Sequence, residues 1–155
     1  MKRLFFIAMS FLLVIAVTGC KDEYEDTRDA GSAYLSLNAS QDGVERLSNG
    51  LQYKKYYPDN ETWPAPPSLP TYVNVNYTAM FINGDTLSSG NNVTMGYSVM
   101  VKGLQVAIRH MRIGSKWRIW VPYNLAYGSD GIDESGLKVD PYTALIYDLE
   151  LLGAN

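Results

Sequence analysis

From Val73 to Phe81 the chain alternates. Val73, Val75, Tyr77, Ala79 and Phe81 share one parity, and Asn74, Asn76 and Thr78 share the other. A period of two sends successive side chains to opposite faces of a strand, so this stretch is a half-buried strand. Asn83-Gly84 stops it with a turn. The same alternation predicts strands at Leu51–Tyr57 (Leu51, Tyr53, Lys55 and Tyr57 on one side), at Trp117–Val121 and at Leu145–Leu151, and an extended segment within Val93–Val101. One segment has a different period. Leu104, Ala107, Ile108 and Met111 fall at i, i+3, i+4 and i+7, the spacing of one helix face. Gly114 follows as a left-handed stop, and Arg109, His110 and Arg112 sit where positive charge complements the helix dipole.

The intervening segments are irregular. Trp63-Pro64-Ala65-Pro66-Pro67-Ser68-Leu69-Pro70 cannot be a helix or an interior strand, because proline lacks the N–H both require. It is a stiff connector in preference to a ligand for a proline-binding partner. Gly128 to Gly136, rich in Gly, Ser and Asp, is a long loop. Its acids Asp130, Asp133 and Glu134 lack the alternating spacing of a calcium loop and are taken as solvated turn residues. Several strands with one short helix make an α+β protein, an antiparallel sheet packed on a helix.

The first residues follow another logic. Lys2 and Arg3 precede an apolar run, Leu4 to Val17, broken only by Ser10. The run is shorter than the roughly 20 residues that cross a bilayer, and it fits the apolar core of a secretory signal. It ends in Val17-Thr18-Gly19-Cys20, which resembles a bacterial lipobox. The resemblance implies cleavage before Cys20 and lipid on that residue, so residues 1–19 are a leader and Cys20 is the lipidation site. Each buried CH₂ adds about 0.8 kcal/mol, so several acyl chains at one residue hold a protein firmly on a membrane. Lys21-Asp22-Glu23 is similar to sequences that send some lipoproteins to the outer face. The expected location is the cell envelope, anchored through lipid to the outer membrane. Residues 20–47 are polar, lack a long apolar period and are expected to act as a tether; a domain of residues 48–155 follows.

Composition narrows the chemistry. With 13 Lys+Arg against 16 Asp+Glu the net charge is −3, which gives no basic surface for nucleic acid. One Cys excludes an internal disulfide framework and a cysteine zinc site. One His, His110, excludes a His-rich metal site; it is expected on an exposed helix face. No metal or cofactor is called for. Twelve tyrosines are the excess that needs a use.

The order of motifs from Val73 onward resembles that of the FKBP-type, macrolide-binding peptidyl-prolyl isomerases. Val73-Asn74-Val75-Asn76-Tyr77-Thr78 is similar to the family's V-x-V-x-Y-T-G strand, with Ala79 in place of Gly. Asn83-Gly84-Asp85-Thr86-Leu87-Ser88-Ser89 resembles D-G-x-x-F-D-S, and Met100-Val101-Lys102-Gly103-Leu104 resembles V-I-x-G-W. Met111-Arg112-Ile113-Gly114 with Trp117-Arg118-Ile119 resembles M-x-x-G-x-K-x-R-x-x-I-P. Val121-Pro122-Tyr123-Asn124-Leu125-Ala126-Tyr127-Gly128 matches I-P-x-x-L-A-Y-G. Pro141 to Leu152 resembles P-x-x-x-L-x-F-x-V-E-L-L, and Ser48 to Tyr53 resembles S-G-L-Q-Y. The collinear series covers residues 48 to 153.

The resemblance implies an antiparallel five- to six-stranded sheet curled around one short helix, with a ligand cleft between them. It implies rotation of X-Pro amides in proline-containing polypeptides. By position, Tyr127, Tyr77 and Tyr147 would be the catalytic residues, with the Tyr127 hydroxyl donated to the carbonyl before the proline. Leu87, Met100, Val101, Leu104 and Val139 would bind substrate, Val101 through its backbone N–H and Val139 by closing the cleft from the loop. Two departures qualify this. Leu104 stands where the family has a Trp floor, and Leu87-Ser88 stands where Phe-Asp is usual. They imply a wider or reshaped cavity, weak macrolide affinity and, as the alternative to an active isomerase, a catalytically weak peptide- or protein-binding module.

Substituting Cys20→Ala is expected to abolish incorporation of labelled fatty acid and release the protein from the membrane fraction; unchanged labelling would refute the anchor.

Overall fold

A computed structural model describes residues 23–58, 60 and 62–155. The leader and Cys20 lie outside the described residues. In chain order the elements are α1 (Glu25–Asn38), β1 (Glu45–Arg46), β2 (Gln52–Lys55), β3 (Tyr72–Phe81), β4 (Thr86–Gly96), α2 (Lys102–His110), β5 (Lys116–Val121), β6 (Ile132–Glu134), β7 (Leu137–Val139) and β8 (Leu145–Ala154). Six strands form one antiparallel sheet in the order β1-β2-β5-β8-β3-β4, and β6 pairs with β7 in a separate hairpin.

The inward row of the sheet is the one alternation predicts. Val73, Val75 and Ala79 of β3, Trp117, Ile119 and Val121 of β5, and Leu145, Tyr147, Leu149 and Leu151 of β8 are all buried. They pack on Leu104, Ala107 and Ile108 of α2 and on Met111 at its C-terminal cap in a single core. Each large aliphatic side chain so buried contributes about 1.5–3 kcal/mol. On the opposite face Arg118 donates two hydrogen bonds to Asp148 at 2.7 and 2.6 Å, and the Tyr56 hydroxyl donates to the same carboxylate at 2.8 Å. Burial raises the Asp148 pKa, but the hydrogen bonds from Arg118 and Tyr56 outweigh it and hold the carboxyl below its usual range.

The segment read as a polar tether differs from expectation. It contains α1, fourteen residues long, docked on the domain rather than extended from it. Arg28, Gly31, Leu35 and Asn38 recur at three- and four-residue steps and so share a face. At Gly31 a β-carbon would come within 3.2 Å of the Ala144 Cβ. Asn38 Nδ2 donates to Gln52 Oε1, and Gln52 Nε2 donates to the Leu35 carbonyl, both at 2.8 Å. Gln52, Trp120 and Ile146 are register partners across β2, β5 and β8. They point away from α2 yet are 2%, 6% and 7% exposed, because this end of the outer face lies beneath α1.

Three smaller expectations also change. The loop of Gly128 to Gly136 carries β6 and turns at Ser135 and Gly136, both at positive φ, into β7. Helix α2 is capped by Met111, so the positive φ of Gly114 serves the α2–β5 turn. There Ser115 Oγ accepts the Arg112 N–H at 3.0 Å. The extended segment ends at Gly96 and gives way to a 3₁₀ turn at Tyr97–Val99.

Gly103, in the first turn of α2, sets how closely the helix approaches the sheet. A β-carbon there would lie 2.5 Å from Val121 Cγ1 and 3.3 Å from the Leu125 carbonyl. Gly103→Ala is therefore expected to destabilise the fold by about 1–3 kcal/mol, as overpacking does, although alanine favours the helix intrinsically; urea unfolding would register this as a lower midpoint at constant slope, and an unchanged midpoint would show the approach to be slack.

Candidate active site

Helix α2 leaves part of the concave sheet uncovered, and a cavity of about 180 Å³ opens there. Its walls are Tyr77 of β3, Ser88 and Met95 of β4, Val99, Met100 and Val101 before α2, Leu104 of α2, Tyr127, Leu137 of β7, and Tyr147 and Leu149 of β8. Pockets for drug-sized ligands are commonly about 300–1,000 Å³, so this one suits a single small ring. A larger hollow, about 600 Å³, lies beside Lys54, Lys55, Tyr56 and Arg112, but its walls are substantially charged. Of these two, the tyrosine-lined cavity has the more apolar walls.

Local constraints hold each wall. Tyr77 lies over Gly90: a β-carbon on Gly90 would come 2.8 Å from Tyr77 Cε1. Beside it, a bulge lets Asn91 and Asn92 of β4 oppose the single Asn76. Asn92 has φ of 54° and donates its N–H to Asn76 Oδ1 at 2.7 Å; asparagine tolerates that left-handed conformation better than most residues. The Tyr97 hydroxyl donates to the Gln105 carbonyl at 2.8 Å, and Gln105 Nε2 donates to the Met100 carbonyl at 2.7 Å. This ties the 3₁₀ turn to α2. Val101 is the N-terminal cap of α2; its carbonyl accepts Leu104 and Gln105, while its N–H has no partner among the described residues. Tyr127 follows a 3₁₀ turn at Tyr123–Leu125. The Ala126 and Gly128 N–H groups both donate to the Tyr123 carbonyl, at 3.0 and 2.9 Å.

The three tyrosines come together as expected. Burial, and then proximity to Tyr127 and Tyr77, push the Tyr147 hydroxyl well above its usual pKa. Burial, and then Tyr77, raise Tyr127. Both are neutral donors throughout the physiological range. Met100, Val101 and Leu104 line the same cavity. Leu87 and Val139 do not. A second bulge, at the step from Ala79↔Ser88 to Met80↔Thr86, leaves Leu87 unpaired. The parity shifts by one, and Ser88 takes the inward place while Leu87 packs against the core. Val139 is only 2% exposed and belongs to the core; Leu137, two residues earlier on β7, reaches the cavity. Met95, Val99 and Leu149 were also missed. Leu149 lies on the inward parity of β8, so its pattern was visible, whereas Met95 and Val99 depend on the bulges and the 3₁₀ turn. His110 is exposed, away from the cavity lining.

Comparison with known proteins agrees with this geometry. Residues 65–152 match the sequence model described as FKBP-type peptidyl-prolyl cis-trans isomerase. Residues 16–54 match the domain amino terminal to such isomerases. The peptidyl-prolyl cis-trans isomerase Mip of Coxiella burnetii is 36% identical over 77% of this chain and 51% of that protein. The outer membrane protein MIP of Legionella longbeachae is 34% identical over 83% of this chain and 54% of that protein. The chain thus spans about half the length of the curated relatives it matches. A peptidyl-prolyl cis-trans isomerase structure from Pseudomonas syringae pv. tomato has the same fold, with a TM-score of 0.76 at 24% identity over 88% of this chain and 99% of that one. The match across most of the sheet and α2, together with the cavity those elements enclose, makes this chain a member of the FKBP-type peptidyl-prolyl cis-trans isomerase family.

Proposed function

We propose that this protein is a peptidyl-prolyl cis-trans isomerase acting on X-Pro bonds of exported polypeptides, held at the cell envelope by lipid on Cys20. The observation that carries the reading is a cavity ringed by Tyr77, Tyr127 and Tyr147, with Val101 on its wall, whose N–H has no partner among the described residues. Family membership and the leader-like residues ending in Val17-Thr18-Gly19-Cys20 support it. So does the envelope location implied by the name of the Legionella relative.

The reaction breaks no bond. Amide resonance gives a barrier of about 18–20 kcal/mol, and uncatalysed exchange takes about 10–100 s. A turnover of about 10–10³ s⁻¹ needs roughly 10²–10⁵-fold acceleration, or about 3–7 kcal/mol. No nucleophile is needed for that. The planar amide is more charge-separated than the twisted one, so a cavity of aromatic rings favours the twisted form relative to water. The proline ring enters among Leu104, Met100 and Tyr147. The Val101 N–H donates to a substrate carbonyl, and the Tyr127 hydroxyl donates to the carbonyl before the proline. These two bonds fix one side of the peptide while the other rotates.

A second reading, a peptide-binding module with little catalysis, is favoured by Leu104 and Ser88 and by the small cavity volume. The same volume predicts weak macrolide binding.

Isomerisation of short X-Pro peptides by the full chain in detergent separates the two readings. Tyr127→Phe removes one hydrogen bond worth about 1–1.5 kcal/mol, so kcat/KM is expected to fall about five- to tenfold with the fold intact. A folded wild type with no rate above background for any residue before proline would leave the binding module.

The tyrosine environments set the pH response. The fold favours the neutral hydroxyls of Tyr127 and Tyr147, so the stability they contribute is complete below their unfolded value of about 10. It is lost as pH rises through their higher folded values. Activity and unfolding midpoint are expected to stay level from about pH 6 to 9 and to decline above about pH 10; a limb near neutrality in the pH–rate profile would reveal a different titrating group in the cavity.

A further inference from the structure

Tyr142 has φ of 59°. A bulky residue in the left-handed region costs about 1–3 kcal/mol, a cost borne only where surrounding contacts enforce it. The contacts at Tyr142 converge from two directions. On one side its ring meets Tyr123 edge-on, with centroids 5.2 Å apart and planes at 69°, and its N–H donates to the Gly128 carbonyl at 2.9 Å. Tyr123 and Gly128 are the two ends of the turn that carries Tyr127. On the other side the Arg28 guanidinium of α1 lies 5.5 Å from the Tyr142 ring centroid. One helical turn along, Gly31 brings α1 against Ala144 and the Tyr142 carbonyl.

We propose that Arg28, Tyr142 and Tyr123 form a positioning stack through which the docked helix α1 holds the Tyr127 turn in its catalytic geometry. None of the three lines the cavity, so they act through Tyr127. The stack gives the amino-terminal segment a role in the reaction itself. Undocking α1, by a partner or by tension on the anchor, would loosen the turn and slow isomerisation without altering any residue that touches substrate.

This rests on the isomerase reading and on the role of Tyr127 in it. The test compares the full chain in detergent with Arg28→Ala, Arg28→Lys and Tyr142→Gly, each alone and with Tyr127→Phe. Glycine accepts φ near +59° without strain, so Tyr142→Gly separates catalysis from stability. Its melting temperature is expected to hold or rise while kcat/KM falls. A cation–aromatic contact at a partly exposed site corresponds to about a two- to fivefold change, and Arg28→Ala is expected to lower kcat/KM by that factor while Arg28→Lys retains most of the activity. Both losses should vanish in the Tyr127→Phe background, where the group being positioned has gone. Wild-type kcat/KM in Arg28→Ala, or an equal loss with and without Tyr127→Phe, would overturn the proposal. Amide exchange at Gly128 and Tyr142 provides a readout independent of activity. Faster exchange in Arg28→Ala supports the coupling, and unchanged exchange refutes it. An inactive wild type would defeat the isomerase reading while exchange still decides whether α1 holds the turn.

Discussion

Two long interior strands of the sheet outreach the helix that fills it. Strands β3 and β8 are ten residues each, about 33 Å at 3.3 Å per residue. Helix α2 is nine, about 13 Å at 1.5 Å per residue. A curved sheet of that length leaves concave surface beyond the end of so short a helix, and water there would face Val, Leu and Tyr side chains. Loops must roof the remainder. The 3₁₀ turn before α2, the turn carrying Tyr127 and the β6–β7 hairpin supply that roof, and the cavity is what they leave unfilled. Tyrosine suits its walls because the ring covers apolar surface while the hydroxyl keeps one donor within reach.

The outer face follows the same economy at its other end. Gln52, Trp120 and Ile146 form a row that the sheet alone would leave in water, and α1 covers it. The domain is therefore three layers deep along that edge and two layers deep elsewhere. Gln52 bridges the layers by bonding both the Asn38 side chain and the Leu35 carbonyl. A polar group buried to 2% exposure needs such partners to offset its desolvation.

Strands β3, β5 and β8 and helix α2 were legible because each buries one face, and burial leaves a period of two or of 3.6 in the residues. Helix α1 was not, because its docking stripe is Arg28, Gly31, Leu35 and Asn38, which is close approach and hydrogen bonding rather than hydrophobicity. The available clue lay elsewhere: Trp120 and Ile146 are apolar on the outward parity of their strands and need a cover. Strands β6 and β7, three residues each, are too short to establish any period. Within the site, the three tyrosines and Leu104 could be placed only through the resemblance of the motif series to the FKBP family, since periodicity marks them as core and no more. Leu87 could not, since a bulge in β4 moves every inward position by one and nothing in Thr86-Leu87-Ser88 announces it.

The bulges of β4 reach beyond the cavity. β4 is the long edge of the sheet, and an unpaired edge invites other strands to add to it. Two interruptions in eleven residues, at Asn91-Asn92 and at Leu87, break that edge into short segments, and bulges of this kind make an edge a poorer template for a neighbour. For a protein whose proposed clients are unfolded chains, such a border offers an exposed strand fewer places to add.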